Sequence, residues 1–114
     1  MTLDEVEAHC LSLPAATMVV QWGGSRVFKV GGRIFAACGD WPVAFKASDI
    51  AYDLLPTQGL ARPARYLYRA KWLELGLDAL GDDALRSYLT EAHAIVARRL
   101  TRKLRAELGF VESG

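Results

Sequence analysis

The chain is poor in the residues that carry most site chemistry. It has two cysteines and two histidines in 114 residues. Cys10 and Cys38 fall in separate expected elements with no C-x-x-C spacing, which excludes a locally built thiolate metal site. Small, reduced, buried thiols in a cytoplasmic protein are the expectation. His9 and His93 have no His or Cys partner three or four residues further on, so neither begins a helical ligand pair. His93 borders an apolar stripe, where a satisfied, half-buried ring is expected. Neither Ser25 nor Ser87 stands in a nucleophile-elbow context. GGSRVFKVGG, residues 23–32, lacks G-x-G-x-x-G spacing and the Lys-Ser/Thr of a phosphate loop. No catalysis, no metal and no cofactor are therefore expected. No apolar run approaches the roughly 18 residues that span a bilayer, and MTLDEVEAH is no leader, so no membrane partner is expected.

Net charge is also missing: the formal value is +1. The charge is nevertheless laid out in blocks. Residues 1–25 hold Asp4, Glu5 and Glu7 and no cation, and 74–85 hold Glu74, Asp78, Asp82 and Asp83 and no base. Residues 26–46 hold Arg26, Lys29, Arg33 and Lys46 against Asp40, and 61–73 hold Arg62, Arg65, Arg69 and Lys71 with no acid. RRLTRKLR, residues 98–105, is wholly basic among its charges. Such blocks either pair locally on different faces or build a basic patch inside a near-neutral protein.

What is present reads as one α+β domain spanning 1–114. Thr2 and Glu5 make a T-x-x-E capping box. Leu3, Val6, Cys10 and Leu13 follow at helical spacing, and Pro14 ends the helix. ATMVVQW, 16–22, reads as a strand. Residues 26–30 and 33–38 form a hairpin across Gly31-Gly32. WPVAFKA, 41–47, alternates again, and Ser48 caps a short helix, DIAYDLL. Residues 57–65 read as loop. KWLELGL, 71–77, alternates strictly. A long helix opens at Gly81-Asp82-Asp83, with acids at its positive end, and Thr101 caps a separate final turn. The expected fold is a five-stranded antiparallel sheet with helices on one face.

The hairpin then sorts into faces. Pairing Val30 with Arg33, Lys29 with Ile34 and Phe28 with Phe35 puts Phe28, Val30, Phe35 and Ala37 under the helices. Trp41, Val43, Phe45, Leu73 and Leu75 join them. Lys29, Lys46, Trp72 and Glu74 are left on an open face, above a floor of Val27, Ile34, Ala36 and Ala44. Cations and an exposed indole there fit phosphate contact and base stacking. The plainer alternative is that Lys46 pairs with Glu74 and Trp72 merely shields the floor.

The ordered set VFKVGGRIFA, VAFKAS, the Lys71-Trp72 strand and the Asp-Asp helix with TEAHAIVARRLTRKLRAELG resembles the MmcQ/YjbR family of small bacterial proteins, from about Leu3 to Leu108. The resemblance implies a CyaY-like (frataxin-like) sandwich. It also implies a DNA-binding role, the label members commonly carry. His93 stands where relatives usually have Tyr, and Thr101 where many have Pro. Metal binding of the frataxin kind would need a dense acidic ridge, and the first helix offers three acids beside a basic hairpin.

The nucleic-acid candidates are Lys29, Arg33, Lys46, Lys71 and Trp72, followed by Arg98, Arg102 and Lys103. An acidic protein partner is the rival for the same cations. Tyr52, Tyr66 and Tyr68 with Arg65 and Arg69 suggest a cover for a small anionic ligand, or a loop pinned to the domain.

Overall fold

The computed structural model describes residues 1–21, 23–39, 42–64 and 70–110. The expectations for Trp22, Asp40, Trp41 and residues 65–69 lie outside the described residues. Six strands form one sheet: β1 Ala16–Gln21, β2 Ser25–Val30, β3 Arg33–Cys38, β4 Pro42–Lys46, β5 Arg62–Pro63 and β6 Trp72–Gly76. Their order is β1-β2-β3-β4-β6-β5, with every neighbouring pair antiparallel. The helices are α1 Leu3–Ser12, α2 Asp49–Thr57, α3 Asp82–Arg98 and α4 Arg102–Glu107.

The caps lie where the sequence puts them. Thr2 Oγ1 accepts from Glu5 N at 3.1 Å, and Glu5 Oε1 accepts from Thr2 N at 3.0 Å. Ser48 Oγ accepts from Ala51 N, and Thr101 Oγ1 from Leu104 N, both at 3.1 Å. Each satisfies an amide that the first helical turn leaves without a partner. Thr101 thereby splits the last helical stretch in two.

The sixth strand corrects the expectation of five. Residues 57–65 are not all loop: α2 runs to Thr57, and Arg62 and Pro63 pair with Glu74 and Leu73. Ala64 N donates to Trp72 O at 2.9 Å. Two residues are too few to show alternation, and proline is tolerated here because β5 is an edge strand.

A second correction concerns the hairpin. Gly31 and Gly32 have φ of +58° and +79°, as the two-residue turn requires. Val30 pairs with Arg33 and Lys29 with Ile34, as expected, but Phe28 pairs with Ala36 instead of Phe35. A β-bulge places one extra residue on β3 at that point. Consecutive residues Phe35 and Ala36 are therefore both buried, and Ala37 takes the opposite face. The reason is packing. Phe35 meets the His93 ring of α3 edge-on at 5.2 Å and Phe28 at 6.4 Å, so a large ring fills the space under the helix.

The register now runs across the sheet in rows. Met18, Phe28, Ala36, Phe45, Leu73 and Pro63 lie on the helix-covered face. Val19, Val27, Ala37, Ala44, Glu74 and Arg62 make the neighbouring row on the other. α1 and α3 pack on the first face, and α2 lies beside β5 and gives Ala51 and Leu55 to the same core. His93 is buried, and its Nε2 lies 2.7 Å from Pro14 O, the satisfied ring that the sequence suggested.

Candidate functional site

Antiparallel register gives the sheet two ends. β2 finishes and β3 begins at the Gly31-Gly32 turn; β4 ends there at Lys46, which pairs with Trp72 at the start of β6. α3 begins at the far end and finishes at the turn. A Cβ placed on Gly31 would stand 2.6 Å from Leu100 Cδ1 and 3.2 Å from Leu104 Cδ2. Only glycine leaves room for these leucines to seat α4 against the hairpin tip. Because Leu104 points to the turn, Arg102 and Lys103 face solvent, as do Arg33, Arg98 and Arg99.

The sequence treated the hairpin cations and the 98–105 run as separate candidates. The fold joins them. Arg33, Lys46, Lys71, Arg98, Arg102 and Lys103 belong to one end of the molecule, and Lys29 lies one pair inward from the turn. Arg99, which the sequence reading left unranked, belongs here too: its charge acts on both Lys46 and Asp49. The signal that would have found it was present. Leu100 and Leu104 continue the core stripe of α3, so the basic run between them had to stay with the body of the domain.

One group of acids lies at the other end, while Asp49 and Asp53 stay at this one beside Lys71. Met1 N donates to Asp82 Oδ1 at 3.1 Å, and Asp4 and Glu7 face Arg26 at 2.9 and 3.7 Å. Asp78 and Asp83 are exposed nearby on the approach to α3 and in its first turn. Local pairing does neutralise some cations: Arg62 meets Glu74 at 2.6 Å, Lys71 meets Asp49 at 2.8 Å and Arg86 meets Asp83 at 3.0 Å. Among the described residues no carboxylate pairs with Lys29, Arg33, Lys46, Arg98, Arg99, Arg102 or Lys103. A net charge of +1 thus conceals an acidic cluster at the far end and, at the hairpin end, exposed cations with no carboxylate partner among the described residues.

The open sheet face does not take the expected form. Trp72 is only 7% exposed and Lys46 only 5%, so the indole is no free stacking platform and the lysine does not rise into solvent. Val27 on the same face is fully buried, and Ala36 has left it through the bulge. Glu74 pairs with Arg62, not with Lys46. The exposed part of the face is at β1, where Thr17, Val19 and Gln21 carry no charge.

Lys46 Nζ donates to Ala47 O at 3.1 Å. Desolvation lowers its pKa, and the Arg99 guanidinium lowers it further; Asp49 opposes and Lys71 adds to the effect. Asp49 is held below the usual carboxylate range, first by the Lys71 hydrogen bond. The exposed cations without a carboxylate partner among the described residues come from two segments, the turn and the α3–α4 junction; Lys46 lies buried beside them and Lys71 meets Asp49. Elsewhere, a cleft of about 290 Å³ runs along Leu60, Arg62, Glu74 and Gly76, where Arg62 already meets the Glu74 carboxylate. Among the described residues no three His, Cys, Asp or Glu side chains converge.

A family model described as YjbR matches residues 11–95. The crystal structure of a Deinococcus radiodurans protein with a DUF419 domain superposes with a TM-score of 0.83 at 22% identity, covering 99% of this chain and 91% of that one. At this identity the likeness shows a shared fold. No curated protein matches the chain.

Proposed function

The chain belongs to the YjbR family, and we propose that it is a small non-catalytic binding module whose basic end takes the phosphate backbone of nucleic acid, weakly and without reading sequence. The observation that carries this reading is the convergence of Arg33, Arg98, Arg99, Arg102 and Lys103 around the hairpin tip with no carboxylate partner among the described residues. Phosphate contact needs exposed cations on a fixed frame, and Leu100 and Leu104 fix this one against Gly31. Base stacking through Trp72 drops out of the proposal. The same reading takes the sheet with its helices as a CyaY-like sandwich in a bacterial cytoplasmic protein.

A few phosphate contacts give a dissociation constant on the order of 10⁻⁴–10⁻⁶ M at physiological salt. The test is an NMR titration with short single- and double-stranded DNA at two salt concentrations. Support is a set of shifts at 29–34, 46–49, 71 and 98–104 that weakens steeply as salt rises. Absence of shifts at low salt rejects the proposal. An acidic protein partner for the same cations is then the reading that gains.

A further inference from the structure

Lys46 and His93 are the polar side chains buried among the described residues. His93 is satisfied by Pro14 O. Among the described residues Lys46 has less: its ammonium carries three N–H groups and donates one, to the carbonyl of its own neighbour Ala47. Asp49, the acid whose charge reaches it, gives Oδ1 to Lys71 at 2.8 Å. Ala47 N donates to Lys71 O at 2.9 Å, which fixes the Lys71 backbone beside the Lys46 strand end. Arg99, at the end of α3, supplies a third positive charge and has no carboxylate partner among the described residues. A buried cation beside two further cations, with one carboxylate shared between it and Lys71, stays costly unless another anion completes it.

We propose that Lys46, Lys71 and Arg99 form a discrete site for one phosphate group, with Lys46 at its floor and the two exposed cations at its rim. The inference rests on the basic-end reading and sharpens it from a diffuse patch to a seat for a single phosphate. Three cations from β4, the start of β6 and the end of α3 carry more N–H donors than the two oxygens of a carboxylate receive, and a phosphate brings further acceptor oxygens and more charge. The phosphate belongs either to a nucleic-acid backbone or to a small phosphorylated molecule.

The test uses the whole chain, with inorganic phosphate as one probe and a short DNA duplex without terminal phosphates as the other. Amide shifts are followed at constant ionic strength, against a chloride control. The expected result is saturable phosphate-specific shifts at Ala47, Lys71, Trp72 and Arg99, weakened about tenfold or more in Lys46→Met. Arg99→Gln, at an exposed position, weakens them several-fold and keeps the test valid where Lys46→Met fails to fold. Lys46→Met that folds melts no lower than the parent, because it removes an uncompensated charge. Phosphate shifts that never saturate, or that both variants leave unchanged, overturn the site. DNA binding that survives both variants at parental affinity overturns it too, while the basic-end reading stands. Saturable, Lys46-dependent phosphate binding without DNA binding supports the site for a small phosphorylated molecule and removes the nucleic-acid reading.

Discussion

The two ends of the sheet are built from the same kind of parts and do opposite things with charge. At the far end, where α1 and α3 begin, Asp4, Glu5, Asp82 and Asp83 sit in first helical turns. There each carboxylate complements a helix dipole, caps an amide or meets a cation, as Asp4 meets Arg26 and Asp83 meets Arg86. At the hairpin tip, Arg98 and the C-cap residue Arg99 complement the end of α3, but Arg33, Arg102 and Lys103 serve no such structural need. Charges used for capping explain themselves; exposed like charges held together by an apolar anchor do not. That difference makes the tip, and not the acidic end, the functional candidate.

Charge reversal tests the contrast most strongly. Arg33→Glu with Arg102→Glu is expected to lower DNA affinity about 10- to 100-fold and to flatten the salt dependence by about two phosphate contacts. Asp78→Lys with Asp83→Lys, at the other end, is expected to leave the location of the shifts unchanged. A gain from the second pair as large as the loss from the first would mean that net charge, not the tip, governs binding.

The apolar anchor comes next. Gly31→Ala puts a Cβ against Leu100 in a left-handed backbone and is expected to cost about 2–3 kcal/mol in denaturant unfolding. Gly32→Ala has the same handedness with nothing within 4 Å, and should cost only about 1 kcal/mol. Similar costs would show that backbone strain alone acts and that α4 is not seated on the turn.

Thr101→Ala removes the α4 cap and is expected to cost about 1 kcal/mol or less. Hydrogen exchange should show the loss in residues 102–107, with α3 unaffected. Matching loss of protection along α3 would deny that the two helices are separate units.

The smallest effect belongs between the ends. His9 Nε2 lies 3.1 Å from Arg86 O and 2.9 Å from Thr90 Oγ1, joining α1 to α3. Burial lowers its pKa below 6.5, opposed by the Arg86 carbonyl bond and reinforced by the Arg86 charge. The folded state therefore binds the proton less readily than the unfolded one. Its stabilisation is complete above pH 6.5 and is lost as pH falls through the folded value. Melting temperature should drop by a few degrees on that descent, and His9→Gln should reduce the drop. An unchanged drop would place the responsible group elsewhere.

The sequence by itself determined the elements. Caps at Thr2, Ser48 and Thr101, the Gly31-Gly32 turn and the alternation of 43–45 and 73–75 are local signals, each with a local physical cause, and each appears in the fold. It also contained the Leu100–Leu104 continuation that keeps 98–105 with the core. Tertiary structure decided the rest. The bulge at Phe35 depends on the room under α3, which no hairpin pattern encodes, and it moved Ala36 inward and Ala37 outward. Burial of Lys46 and Trp72 depends on what surrounds the end of the β4–β6 pair, whereas alternation reports only which face a residue takes. The sorting of charge into two ends depends on chain reversal. Antiparallel strands return residues 33, 46 and 71 to one level, and α3, anchored there through Leu100, brings the last basic block to meet them.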